Sequence, residues 1–148
     1  MALGVSLAGA LSTPAQALTG TVYDGAVEVT IDINIGASTP VPAGDVVYCD
    51  LSISIYDSVG GEYLEEAFAK ATLVNSGYGT CSADLPYMWT LGQASTDKIS
   101  VGYSVYMVPS TTNPLGKPFD RVATNSGAAS ISVPANNVTV PVTLSMKF

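Results

Sequence analysis

Cys49 and Cys81 are the only cysteines in the chain, and the residues around them decide their chemistry. Both sit on the apolar side of an alternating run: Val47, Cys49, Leu51, Ile53 and Ile55 in one, and Cys81, Ala83, Leu85, Tyr87 and Trp89 in the other. An inward-facing pair in an exported protein forms a bridge, whereas two thiolates cannot complete the four-ligand shell of a structural zinc ion. A disulfide between Cys49 and Cys81 is therefore expected. Closing that loop stabilises the fold by roughly 3 to 4 kcal/mol in the chain-entropy picture. Trp89 invites comparison with antibody domains, where a tryptophan packs on the inter-sheet bridge. Here it follows the second cysteine, so the antibody pattern does not apply.

Eight of the twelve carboxylates fall into three sets: Asp24, Glu28 and Asp32; Glu62, Glu65 and Glu66; and Asp45 with Asp50. Calcium takes about six to eight oxygen ligands, usually from loops dense in Asp, Asn and Gly. None of the sets has the D-x-D-x-D-G spacing, so they are read as a solvated acidic surface, and no metal site or cofactor is expected. Two carboxylates of a glycosidase would also need an open cleft with aromatic platforms.

Nucleophilic catalysis lacks its parts. The chain has no histidine and Arg121 is its sole arginine, which removes the usual general base near neutral pH and the usual anion clamp. The serines lack any G-x-S-x-G setting and Lys70 stands at no diagnostic spacing; Ser95-Thr96-Asp97-Lys98 has the S-x-x-K spacing, but the S-D-N and K-T-G motifs that accompany it in a seryl enzyme are missing from the sequence. No catalytic residue is assigned, and an enzyme is not expected. Twelve acidic against five basic residues give a net charge of -7, a field that repels phosphate and anionic lipid. Nucleic acid is not an expected partner.

Tyr48, Tyr56 and Tyr106 alternate away from the core sets, and Tyr63, Tyr78 and Phe119 stand near loops. Such rings could form a sugar-stacking or protein-binding surface. Strands carry tyrosine by preference, however, and cross-strand pairs that stabilise an outer face are the favoured reading.

The elements that position these groups read as strands. Val27, Val29, Ile31, Ile33 and Ile35 alternate with Glu28, Thr30, Asp32 and Asn34, the period of a half-buried strand. After the loop 36–44, residues 45–56 alternate likewise, and 57–61 (DSVGG) is a turn. Residues 63–74 (YLEEAFAKATLV) contain helix formers but lie between strands and are assigned as strand. Strands follow over 78–89 and 99–107, then a loop over 109–118, and two short runs, 119–123 and 129–133, split by the turn signal Asn125-Ser126-Gly127. Pro86 and Pro141 lack a backbone donor, so each should lie at an edge or a bulge. Asn137-Val138-Thr139 fits a glycosylation sequon and is given no functional weight.

The last run, Val138 to Phe148, alternates to the end of the chain. It resembles the terminal strand of outer-membrane barrels and that of fimbrial subunits, which implies a lipid-facing strand in the first case and strand exchange in the second. Acidic residues scattered over many strands and the lack of aromatic girdles favour the last strand of a sandwich. The expected fold is all-β: an immunoglobulin-like, two-sheet antiparallel sandwich of seven or eight strands with one disulfide.

Residues 1–17 (MALGVSLAGALSTPAQA) pass from an apolar stretch to the small-x-small end Ala15-Gln16-Ala17, a bacterial-looking secretory signal that lacks its charged opening. The alternative is an N-terminal core strand or helix. The apolar stretch is too short for a transmembrane helix, which needs about 18 to 20 residues, and no membrane insertion is expected. Residues 18–148 then form one domain. The function expected of it is that of an exported, non-enzymatic structural or interaction module, secreted, periplasmic or on the cell surface, whose partner is an unidentified protein or itself. A fimbria-like subunit is the alternative, with a small outer-membrane barrel and a carbohydrate-binding module behind it. Protein recovered from its native host should begin at Leu18 by mass spectrometry; a mature chain that keeps Met1 would overturn the signal assignment.

Overall fold

A computed structural model of the chain describes residues 19–36, 41, 45–75, 77–109 and 123–148. Within these the chain forms eight strands: β1 (Thr21–Asn34), β2 (Asp45–Asp57), β3 (Gly61–Lys70), β4 (Thr72–Asn75), β5 (Tyr78–Leu91), β6 (Lys98–Pro109), β7 (Ala123–Ser132) and β8 (Val138–Lys147). They make two four-stranded sheets, ordered β4-β5-β1-β8 and β3-β2-β6-β7, and neither closes on itself. The expected sandwich is what the sequence builds. The period-two alternation is its cause, because one face of each strand carries the apolar set and the two faces must meet. Val27, Val29, Ile31, Ile33, Leu85 and Trp89 come from the first sheet and Leu51, Ile53, Ile99, Val101 and Val105 from the second, all at 1% exposure or less.

Chain direction follows from counting reversals. Each connection reverses the chain except one: β3 runs straight on into β4 through Ala71, changing sheet without turning back. Ala71 is buried, and its N–H donates to the Val47 carbonyl at 2.8 Å, the last rung before the strand leaves β2. This skipped reversal makes β8 run the same way as β1. β8 therefore pairs with β1 in parallel, from Gly25↔Val138 to Asn34↔Lys147, while the other strand pairs are antiparallel. A wholly antiparallel sandwich was the expectation, and this one pair departs from it. β8 is pinned at both ends: Asn137 N–H donates to the Asp24 carbonyl at 2.8 Å and Phe148 N–H to the Asn34 carbonyl at 3.0 Å.

Both prolines fall where a missing donor is harmless. Pro141 lies on β8, an edge strand. Pro86 lies on β5 beyond the short reach of β4, which pairs only with Tyr78, Gly79 and Thr80, so at Pro86 the strand has β1 alone as ladder partner.

Residues 63–74 are strand, divided between β3 and β4. Their helix propensity is overridden because alternation turns Tyr63, Ala67 and Ala69 toward the core and leaves Leu64, Glu66 and Phe68 outside. The turn read at Asn125-Ser126-Gly127 is a correction: β7 runs unbroken through it, in register with β6 from Met107↔Ala123 to Lys98↔Ser132. Gly127 serves close approach there. It lies opposite Tyr103, and a β-carbon at Gly127 would stand 2.7 Å from the Tyr103 hydroxyl, so the glycine lets the ring lie across the neighbouring strand. Asn137 lies in the turn before β8, with φ of 60°. Residues 1–17 and Phe119, with the run 119–122, lie outside the described residues.

Along β8, Val142 and Met146 are buried, and Val140 and Leu144 are half-buried because β8 is an edge. Each buried Val or Met side chain stabilises by about 1.5 to 3 kcal/mol, against a total stability of about 5 to 15. Deleting residues 138–148 should therefore leave a chain without a cooperative thermal transition by circular dichroism. A truncated protein that melts like the full chain would show that β8 is not integral to the core.

Candidate functional sites

Cys49 on β2 and Cys81 on β5 are joined, with their α-carbons 6.2 Å apart, so the bridge links the second strand of one sheet to the second strand of the other. Both residues are at most 1% exposed. Further along β5, Trp89 stacks on Tyr87 (centroids 4.6 Å apart) and on Tyr63 of β3 (5.8 Å). Its indole N–H donates to Glu65 Oε1 at 3.1 Å, and the Tyr63 hydroxyl donates to the Thr90 carbonyl at 3.1 Å. These side chains bond the free flank of β5 to β3, where no ladder exists.

At the same end of the sandwich lies a carboxylate that the sequence reading did not single out. Asp57, the last residue of β2, is 1% exposed and is the buried charged residue among those described. Its Oδ1 accepts the N–H groups of Val59 and Gly60 at 2.7 and 2.8 Å, and its Oδ2 those of Gly92 and Gln93 at 2.9 and 3.1 Å. One side chain thus ties the β2–β3 turn to the β5–β6 turn. Burial pushes its carboxyl up, but the bonds from Gly60, Val59 and Gly92 and from the Asp97 side chain outweigh this and hold it well below the ordinary range. Asp97 is shifted the other way: desolvation raises it, and so do its hydrogen bond to Asp57 and the charge of Asp57. Asp97 Oδ2 is buried with no donor reaching it, so a proton on Asp97 supplies the missing donor toward Asp57. The sequence held a clue in Asp57-Ser-Val-Gly-Gly, since an Asp opening a turn caps the following N–H groups. The link to Gly92 and Asp97 is a tertiary contact with no local signal.

The three carboxylate sets do not assemble into a centre. Glu65 turns inward to Trp89, while Glu62 and Glu66 point outward. Asp45 and Asp50 fall on opposite faces of β2 by its alternation. Glu28 stands directly opposite Asp84 of β5 on an exposed face, a like-charge pair that is destabilising rather than a paired site, and Asp32 stands opposite Thr80. Among the described residues no group of three or more His, Cys, Asp or Glu is placed to hold a metal ion.

No known protein family, curated protein or solved structure matches the chain. A concavity of about 360 Å³ lies at one end of the first sheet, lined by Asp32, Asn34, Val74, Tyr78, Thr80 and Ser145. It is open, and its rim combines one exposed ring with short polar side chains. Of the outer-face tyrosines, Tyr56 is 75% exposed but Tyr106 is only 2% exposed. Tyr48 and Tyr106 are cross-strand neighbours on β2 and β6, the arrangement expected of rings that stabilise a sheet face.

The Asp57 arrangement makes a prediction with a definite sign. Asp57→Ala removes the acceptor of four N–H groups and should destabilise by at least about 1.5 to 3 kcal/mol, the range for one hydrogen bond to a charged group. The native carboxyl of Asp57 is depressed, so its contribution is present above the unfolded value near 3.8 and is lost as pH falls far below it. That of Asp97 is raised, so its contribution is complete below 3.8 and is lost as pH rises through the native value. Asp97→Asn keeps a donor at every pH. Denaturant unfolding should find it at least as stable as the wild type at pH 7, with a flatter pH dependence above the unfolded value near 3.8. A variant weaker than wild type at pH 7 would contradict a proton shared between the two carboxyls.

Proposed function

We propose that this chain is an exported, non-enzymatic structural or interaction module of the bacterial cell envelope or extracellular space. The observation that carries the reading is the bridge between Cys49 and Cys81, buried between the sheets where it staples the fold rather than meeting a substrate. Disulfides of this kind persist in oxidising compartments. The apolar leader ending Ala15-Gln16-Ala17 supports the same compartment, and the lack of histidine in the sequence supports a role without acid–base catalysis.

The strand plan supports an immunoglobulin-like module. The orders β4-β5-β1 and β3-β2-β6-β7 correspond to strands D-E-B and C′-C-F-G of that fold, with β8 in the place next to β1 that the first strand would take. Fimbria-like strand exchange is the second reading. Its support is that β8 pairs with β1 alone, so leaving would break one ladder; against it, the chain fills that place with its own strand. The two open sheets give no support to a membrane barrel.

Fractionation of native cells, followed by alkylation of the thiols of each fraction under denaturing, non-reducing conditions and mass spectrometry, tests the compartment. The protein should appear outside the cytoplasm with Cys49 and Cys81 unmodified by the reagent. Alkylated cysteines on a cytoplasmic chain would end the proposal.

A further inference from the structure

A sheet edge exposes unpaired backbone donors and acceptors, and proteins that remain single blunt such edges with charge, proline, brevity or bulges. The two sheets have four edge strands: β3, β4, β7 and β8. β4 is only four residues long, and its pairing shifts register between Leu73 and Asn75. β3 carries Glu62, Glu65, Glu66 and Lys70, and its side chains are bonded across the seam to β5. β8 carries Pro141 in its middle and Lys147 at its end. β7 has none of these devices. Its sequence, ATNSGAASIS, holds no charge and no proline, and it stays in unbroken register with β6 over its whole length. Among the described residues no strand pairs with its outer side.

We propose that the outer edge of β7 is a self-association site, at which β7 of a second copy of this chain adds antiparallel and joins the two β3-β2-β6-β7 sheets into one. It rests on the reading of the chain as an interaction module and names the partner. Charge selects that partner. A chain of net charge -7 meeting its own copy at β3 would set Glu against Glu across the strands, which is destabilising, whereas at β7 no like charges face one another. The side chains suit the symmetry as well. Ser126, Ala128, Ser130 and Ser132 point outward, so a two-fold axis at Ala128 sets Ser126 opposite Ser130 of the other copy, with small residues that let the backbones meet. Continuity adds to it. β7 borders the seam whose apolar residues are only half-covered, namely Ile131, Val133, Val140, Leu144 and Phe148, and a copy seated at this edge lies beside them.

Sedimentation equilibrium of the mature, oxidised chain across micromolar to millimolar concentration tests the proposal. The wild type should form a dimer, and Ala128→Lys and Ser130→Lys, each placing a charge on an exposed outer position of β7, should raise its dissociation constant at least tenfold. Near-UV circular dichroism of both variants establishes that they are folded, and Thr143→Lys, the same change on the exposed face of β8, should leave the dimer intact. A wild type that is monomeric throughout, or a dimer that both β7 variants keep at wild-type strength, overturns the proposal. Neither result bears on the compartment of the protein, which the alkylation experiment tests separately.

Discussion

A two-sheet sandwich has to seal two seams, because the apolar inner faces of both sheets would otherwise meet water along their edges. This chain seals them by different means. On one side a single strand does it, as β3 becomes β4 through the buried Ala71 and so belongs to both sheets in turn. Where β4 ends and β5 is left with β1 as its ladder partner, Tyr63 and Glu65 of β3 take over the other flank with hydrogen bonds to Thr90 and Trp89. On the other side β7 and β8 border the seam from different sheets, and the direction of β8 is dictated by the first side. Had the chain turned back between β3 and β4, every later strand would run the other way and β8 would meet β1 antiparallel.

Two local constraints then fix how the sheets sit on one another. The Cys49–Cys81 bridge joins β2 to β5 in the interior, and Asp57 joins the turn after β2 to the turn after β5 at the end. Both connect the same pair of strands, so they define one rigid axis of the molecule. They act on different states, however. In the chain-entropy picture the disulfide limits the freedom of the unfolded chain, while the Asp57 bonds exist only in the folded one. That is why a buried carboxylate is tolerable here: four N–H groups replace its lost hydration.

Alternation carried most of the fold into the sequence. The strand faces of β1, β2, β5 and β6, and with them the inward position of both cysteines, follow from period two because each face is either core or solvent. Pro86 and Pro141 announced edges, since a missing donor has the same meaning in any strand. What alternation cannot contain is the partner of each strand. The parallel pairing of β8 depends on a count of reversals along the chain, and the straight run of β7 through Asn125-Ser126-Gly127 depends on Tyr103 lying over Gly127. Turn residues describe what a segment is free to do, and the ladder with β6 removed that freedom. The Asp57 lock was hidden for a related reason: its own turn is local, but Gly92, Gln93 and Asp97 are brought to it only by the closed sandwich.

These asymmetries also set where the molecule is firm. Bridge, carboxylate lock and aromatic stack all lie on β2, β3 and β5 or in the turns that follow β2 and β5, and they couple the two sheets directly. On the β7 and β8 side, coupling rests on the ladders to β6 and β1, on the end bonds from Asn137 and Phe148, and on half-covered apolar residues such as Val140 and Leu144. Local opening costs least where few buried apolar contacts must be broken, so the β8 edge opens more readily than the β2–β5 axis.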